Sequence, residues 1–147
     1  MQITNMNQLR KVMMDKIKKT MVAANEKALA DMYEETGKFY SGGEPISPEY
    51  GGYIRTGALG DTPRTTEVKV NDNEASFKAY LDINHKYLTG DKPTMDKVLE
   101  LANYGKPWKT ASGKMARQTV GSKGFWERAK VNIETDLEKI MKQSFNI

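Results

Sequence analysis

The chain has 147 residues, of which 38% are apolar and 29% charged, with a mean hydropathy of -0.69 and a formal net charge of +4. This length suits a single domain with one modest core. The chain contains no cysteine, which excludes disulfides, thiolate metal sites and thiol catalysis. No apolar run is long enough for a signal core or a membrane span, so we predict no membrane partner.

The basic charge is concentrated in one glycine-rich segment, residues 105–124, which holds five basic residues and no acidic one. Subtracting this +5 from the total of +4 leaves the rest of the chain with a net charge of -1. A dedicated nucleic-acid-binding protein usually has a more extensive basic surface. The charge distribution therefore indicates a local interaction loop.

The first predicted element is a long amphipathic helix over residues 5–35, ended by Gly37. Apolar residues recur along it every three or four positions: Met6, Leu9, Met13, Ile17, Met21, Ala24, Ala28 and Met32. At 1.5 Å per residue the helix spans roughly 45 Å, more than a compact domain of this size needs. Either part of the apolar stripe faces a second subunit, or the helix crosses the protein's own sheet.

Residues 53–83 are predicted to form a loop followed by a β-hairpin. Thr65–Val70 and Ala75–Ile83 have the alternating pattern of half-buried strands, and Asn71–Glu74 between them are turn formers. The pair predicts an antiparallel hairpin with one face on the core and the other in solvent.

The loop before this hairpin contains the stretch YIRTGALG, residues 53–60. Gly57 is predicted to allow a sharp turn with positive φ, and Leu59 to anchor that turn in the core. Arg55 has two candidate partners, an acidic residue of its own chain or one of the next subunit. The stretch matches neither the dinucleotide-binding pattern nor the P-loop.

The second half of the chain predicts two further helices. A short helix over residues 94–104 has Thr94 as a candidate N-cap. Residues 105–124 are predicted to be a mobile basic loop, and residues 125–144 an amphipathic C-terminal helix. Together these elements predict one α+β domain, residues 1–147, in which long N- and C-terminal helices pack on a small antiparallel sheet, with a short additional helix and long loops.

No combination of residues predicts catalysis, a cofactor or a metal site. His85 is the only histidine, and no second nitrogen or sulfur ligand accompanies it, so we interpret it as a residue on the surface or at the end of a strand. Because His85 is the only histidine, the sequence also shows no obvious base beside a serine or threonine nucleophile. Glu44, Glu49 and Asp61 keep a small hydrolase as a third hypothesis, although acidic residues in loops are ordinarily solvated charges.

The basic loop contains the candidate interaction residues: Lys106, Trp108, Lys109, Lys114, Arg117 and Lys123. Cationic side chains beside a tryptophan suit phosphate contacts with base stacking, so a nucleic-acid-binding module is the alternative function. The same charges suit an acidic protein surface. We expect this loop to be disordered in a free monomer and ordered in an assembly, which hydrogen exchange in the two states would test.

Three short motifs occur in order along the chain: Arg55-Thr56-Gly57-Ala58-Leu59, Asn103-Tyr104-Gly105 and Gly124-Phe125-Trp126-Glu127-Arg128-Ala129. Together with the order helix, sheet, helix, this succession resembles the neck or tail-completion proteins of long-tailed bacteriophages and prophages, a family also described as minor tail or head-tail joining components. Members commonly have Glu before the Tyr-Gly pair and Pro before the Phe, where this chain has Asn103 and Gly124.

The resemblance implies a structural protein without catalysis, located in the neck or tail of a virion that is assembled in the cytoplasm of a bacterial host. It implies a homo-oligomeric ring, often of six subunits, with phage connector and tail-tube proteins as neighbours and DNA in the channel. The motif residues that it assigns to structural roles are Arg55, Thr56, Gly57, Leu59, Tyr104, Gly105 and Phe125.

Overall fold

The computed structural model describes residues 3–41, 59–85, 95–104, 108–109, 115–116 and 124–147. Within these ranges there are three helices and six short strands. Four strands lie between the first two helices and two between the second and third, and all the strands form antiparallel pairs. The α+β class predicted from the sequence is confirmed. The predictions for residues 42–58 and 86–94 lie outside the described residues.

The first helix, α1, spans Met6–Ser41. Asn5 caps its start, because the Asn5 Oδ1 accepts a hydrogen bond from the Gln8 N–H at 2.9 Å. The Gln8 Oε1 in turn accepts a hydrogen bond from the Thr4 N–H at 2.8 Å. This reciprocal arrangement resembles a capping box and satisfies backbone donors at the exposed end of the helix.

The prediction that α1 ends at Gly37 is wrong, because the helix continues for about one further turn. A glycine inside a helix costs about 1 kcal/mol relative to alanine, which is too little to end a helix that packing holds in place. That packing involves Met32, Glu35 and Thr36, all of which are buried. Tertiary contacts therefore override the local preference.

The predicted hairpin is confirmed, and it consists of four short strands. Strand β1 (Pro63–Thr65) pairs with β4 (Ala79–Leu81), and β2 (Lys69–Val70) pairs with β3 (Ala75–Ser76), both antiparallel. In the turn between β2 and β3, the Asn71 N–H donates a hydrogen bond to the Glu74 carbonyl at 2.9 Å. The predicted second strand extended to residue 83, whereas β4 ends two residues earlier.

The two strand pairs differ in register by one residue. Three residues, Thr66–Val68, separate β1 from β2, whereas two, Phe77–Lys78, separate β3 from β4, which is the arrangement of a β-bulge. At the bulge Thr66 donates its N–H to the Lys78 carbonyl, and its Oγ1 accepts from the Lys78 N–H, both at 2.9 Å. The Thr66 carbonyl accepts a hydrogen bond from the Asn25 Nδ2 at 2.7 Å. The bulge therefore ties the hairpin to α1.

The predicted short helix is confirmed as α2, which spans Met95–Tyr104. In the following segment, β5 (Trp108–Lys109) pairs antiparallel with β6 (Met115–Ala116), a pairing that the sequence did not predict. Most other residues of that segment lie outside the described ranges. Its mobility stays a prediction.

The predicted C-terminal helix is confirmed as α3, which spans Phe125–Phe145 and runs antiparallel to α1. Three contacts spaced along the two helices establish this direction: Glu35–Arg128, Lys27–Asp136 and Lys16–Phe145. Helix α1 contacts both α3 and the hairpin, so it is the central element of the fold.

Candidate interaction surfaces

Residues from the first and third sequence motifs meet in one hydrophobic core, and Asn103 of the second motif lies beside it. Leu59 and Phe125 are each 1% exposed and belong to the same buried cluster, together with Met95, Leu99 and Ala102 of α2. The predicted anchoring of Leu59 in the core is thereby confirmed. Since Met95 and Phe125 are the first residues of α2 and α3, this cluster joins Leu59 to the starts of two helices. We call the cluster the motif core.

Asn103, beside the motif core, caps helix α3 from another part of the chain. Its Oδ1 accepts a hydrogen bond from the Trp126 N–H at 3.0 Å, and its Nδ2 donates to the Glu127 Oε1 at 3.0 Å. Its backbone carbonyl accepts from the Gly124 N–H at 2.6 Å. The first turn of a helix leaves its N–H groups without intrahelical partners, and an asparagine oxygen is a favoured acceptor for them. Asn103 does here what a local N-cap side chain ordinarily does.

Gly124 and the backbone of Asn103 form a junction at the start of α3. Gly124 has φ +72°, in the left-handed region that glycine adopts without strain, and it donates its N–H to Asn103. Proline has a φ near -65° and no N–H, so it could not form this junction. The junction brings Asn103, just before the basic loop 105–124, next to Gly124, the last residue of that loop.

A cleft of about 210 Å³ borders this junction. It is lined by Leu81, Leu99, Glu100, Asn103, Tyr104, Phe125 and Trp126. Sites for drug-sized ligands ordinarily have volumes of about 300–1,000 Å³, so the cleft is small for such a ligand. Tyr104, predicted as a motif residue, lies at its exposed rim, whereas Phe125 lies beneath it.

Helices α1 and α3 are joined by a second feature, a row of charged side chains. The Arg128 Nε lies 2.7 Å from the Glu35 Oε2, and the Glu35 carboxylate is almost fully buried. The Asn132 Nδ2 lies 3.5 Å from the other Glu35 oxygen. A buried carboxylate needs such partners, because its transfer out of water is costly.

About two turns of α3 beyond Arg128, Lys27 bridges two aspartates. Its Nζ contacts Asp31 on α1 and lies 2.8 Å from the Asp136 Oδ2 on α3. These hydrogen bonds, first to Asp136 and then to Asp31, raise the pKa of Lys27. The hydrogen bond from Lys27 lowers the pKa of Asp136. The Asp31 Oδ2 is buried without a hydrogen-bond partner among the described residues, so the bridge neutralises a charge that has few other contacts.

The sequence pattern did not predict these buried polar residues on α1. Thr20, Asp31, Glu35 and Thr36 are buried on the face that the apolar stripe also occupies. Their spacing of three or four positions from Ala24, Ala28 and Met32 is the available signal in the sequence. The stripe is therefore part of a wider mixed face that packs against α3 and the hairpin.

The outcome for the apolar stripe differs between the two halves of α1. Ala24, Ala28 and Met32 are buried within the protein, whereas Met6 is 75% and Met13 is 48% exposed. The C-terminal half therefore packs against the protein's own core and its own sheet, as one alternative predicted. The N-terminal half leaves apolar side chains available for the other alternative, a second subunit.

Several predicted site residues lie outside the described part of the chain. They are Arg55, Thr56, Gly57, Gly105, Lys106, Lys114, Arg117 and Lys123. Trp108 and Lys109 form β5, for which only the backbone pairing is described. The role of the basic residues as a contact surface stays a prediction.

The described residues support the structural interpretation of the remaining polar residues. His85 lies in a bend four residues after β4 ends, and its N–H donates to the Asp82 carbonyl at 3.3 Å. The Asn71 Oδ1 accepts hydrogen bonds from the Asn73 and Glu74 N–H groups, as expected of a turn. Among the described residues, no cluster of three or more His, Asp or Glu side chains could hold a metal ion.

None of the helices in the described part of the chain is long and apolar enough to cross a membrane. The comparisons with known proteins gave no match to a protein-family model, to a curated protein or to a solved structure.

Proposed function

We propose that this chain is a non-enzymatic structural protein of a phage or prophage particle, acting at the head-tail junction or at the tail end. The proposal starts from the three ordered motifs and their resemblance to neck and tail-completion proteins. The observation that supports it is that residues of these motifs come together at the motif core and at the Asn103 cap beside it. Leu59, Asn103 and Phe125 are far apart in sequence, yet they belong to one packed junction.

The contacts at this junction support a structural role for the motif residues. Leu59 and Phe125 fill the core, and Asn103 caps α3, so each residue has a packing or capping function. The junction also brings together Asn103 and Gly124, at the two ends of the basic loop 105–124. A loop held at both ends on a rigid base is suited to contact a neighbouring protein or the DNA in a channel.

Self-association is the second part of the proposal, in the form of a homo-oligomeric ring with connector and tail-tube proteins as neighbours. The exposed methionines at the start of α1 support it, because unbranched apolar side chains adapt well to a partner surface. This end of α1 also extends about ten residues beyond the contact between Lys16 and the last residue of α3. It therefore offers apolar surface that α3 does not cover.

The gene neighbourhood tests the proposal most directly. We expect genes for portal, capsid and major tail proteins beside this one, and their absence from a complete locus would count against a virion role. In an inducible prophage, deletion of the gene should leave DNA-filled heads and separate tails, and the plasmid-borne gene should restore joined particles. Normal particles from the deletion strain would refute the proposal.

The alternative, a nucleic-acid-binding module that uses residues 105–124, predicts a different result in solution. A protein that contacts phosphates with several lysines loses DNA affinity steeply as salt rises. A monomer with such binding, at a locus without phage genes, would favour the alternative.

A further inference from the structure

Helix α1 has an exposed face opposite the one that packs on the protein. We call it the outer face and define it by residues that recur every three or four positions: Gln8, Lys11, Val12, Asp15, Lys19, Val22, Glu26, Ala30 and Tyr33. All of them are exposed. The residues of α1 that reach α3 and the hairpin, among them Asn25, Lys27 and Glu35, occupy other positions around the helix.

The charges of α1 are segregated along its length. On the outer face, residues 8–19 include Lys11, Asp15 and Lys19, a net charge of +1, whereas residues 22–33 include Glu26, a net charge of -1. The helix dipole favours the reverse order, with acidic residues near the N-terminus and basic residues near the C-terminus. The first turn of α1 contains no acidic residue. Lys11, Lys19 and Glu26 lie outside the first and last turns of α1, so the helix dipole does not account for their distribution.

We propose that the outer face pairs with the outer face of a second copy of this chain, with the two α1 helices antiparallel. This direction places the positive half of each helix against the negative half of the other. A parallel pair in register, or a pair formed by the two N-terminal halves alone, would oppose like charges. Charge thus selects one of the three arrangements.

One register of the antiparallel pair brings complementary residues opposite each other. With the twofold axis between residues 22 and 23, Lys19 faces Glu26 of the partner subunit, and Val12 faces Tyr33 of the partner subunit. Asp15 then faces the small Ala30 of the partner subunit. Val22 lies at the centre, where it is 41% exposed in the single chain. The pair therefore has an apolar centre that is flanked by two symmetric sets of opposite charges.

This inference does not rest on the proposed function. A twofold contact uses the same surface on both copies, whereas a closed ring is built from two different surfaces on each subunit. The pairing therefore defines a dimer in solution. Within a virion the same contact would either join two rings or be replaced by the contacts of the ring. The dimer can exist whether or not the protein belongs to a phage.

Cysteine cross-linking tests the geometry, because the chain has no cysteine of its own. Two helices whose axes are about 8–10 Å apart bring facing Cα atoms to about 4–6 Å, which is within the usual range for a disulfide. The two copies of Val22 lie beside the twofold axis and are offset along the helices by about 1.5 Å, so under mild oxidation we expect V22C to form a covalent dimer. V131C is the matched control, since Val131 on α3 is 60% exposed and lies off the outer face. Equal cross-linking of the two variants would overturn the proposal.

Charge reversal tests whether Lys19 pairs with Glu26 of the partner subunit. Sedimentation equilibrium should give a dimer for the unmodified chain, with a dissociation constant that rises with salt. We expect K19E to raise this constant about tenfold, because both symmetric pairs become repulsive. The double variant K19E/E26K should restore it. A chain that stays monomeric at its highest soluble concentration, or a double variant no better than K19E, would refute the antiparallel pairing. Circular dichroism checks that each variant is folded.

Discussion

Replacement of Asn103 by alanine tests whether helix α3 depends on a cap from α2. The side chain is buried and makes two hydrogen bonds, one to the Trp126 N–H and one to the Glu127 carboxylate, both at 3.0 Å. Alanine removes both bonds and leaves the backbone bond to Gly124 in place. The variant thus isolates the contribution of the side chain.

The expected loss of unfolding free energy has two parts, one from the N-cap hydrogen bond and a smaller one from the bond to Glu127. Loss of an N-cap side chain costs about 1 kcal/mol of unfolding free energy. The bond to Glu127 adds somewhat less than about 1 kcal/mol, because that carboxylate is exposed and screened. We therefore expect a total of about 2 kcal/mol, which lowers the thermal midpoint of a protein of this size by roughly 4–8 °C.

Urea unfolding followed by circular dichroism measures this loss. Asn5→Ala is the matched control, since Asn5 caps α1 by the same type of bond at an exposed helix end, where local fraying limits the cost to about 0.5 kcal/mol. Asn103→Asp keeps the oxygen that accepts from Trp126, so we expect an intermediate loss. If Asn103→Ala costs no more than Asn5→Ala, the cap from α2 does not contribute as argued.

Three further predictions concern the glycines and the charged row. Gly124→Ala should cost about 1–2 kcal/mol in urea unfolding because of its positive φ, since an added Cβ meets no atom closer than 3.6 Å; an unchanged midpoint would refute this. Gly37→Ala should stabilise by about 0.5–1 kcal/mol, because the helix continues through an open position, and a loss would show that α1 ends there. Lys27→Met should cost about 1–2 kcal/mol at neutral pH, since Asp31 stays buried. The loss caused by Lys27→Met should shrink as pH falls. The pKa of Asp136 is lowered from its ordinary value of 3.8, so its bond to Lys27 stabilises the fold above pH 3.8 and is lost as Asp136 becomes protonated at lower pH.

The pH dependence has a matched control on the surface of α3. Lys142 and Glu138 form an exposed pair one turn apart, and the hydrogen bond from Lys142 lowers the pKa of Glu138. Lys142→Met should change the stability at neutral pH less than Lys27→Met does, because its partner is solvated. If the two lysine variants have the same profile of stability against pH, the bridge between α1 and α3 has no special role.

The local elements were predictable because their signals lie within a few residues of each other. The three- and four-residue spacing in α1 and α3, the alternation in the hairpin and the turn formers at Asn71–Glu74 each reflect a short-range geometric repeat. Leu59 could be assigned to the core because it is an apolar residue directly after a turn. These features needed no knowledge of the tertiary contacts.

The contacts between distant segments were decided by the tertiary structure alone. Helix α1 continues past Gly37 because Glu35 and Thr36 are buried against other parts of the chain. Asn103 caps a helix that begins more than twenty residues later, and nothing in its neighbouring sequence identifies this partner. A side chain acquires such a role through the position of an acceptor or donor elsewhere in the fold, whereas periodicity describes only how each segment arranges its own faces. The sequence determined most of the elements and their apolar stripes, and the tertiary structure determined which polar residues are buried beside those stripes and which ends of the elements meet.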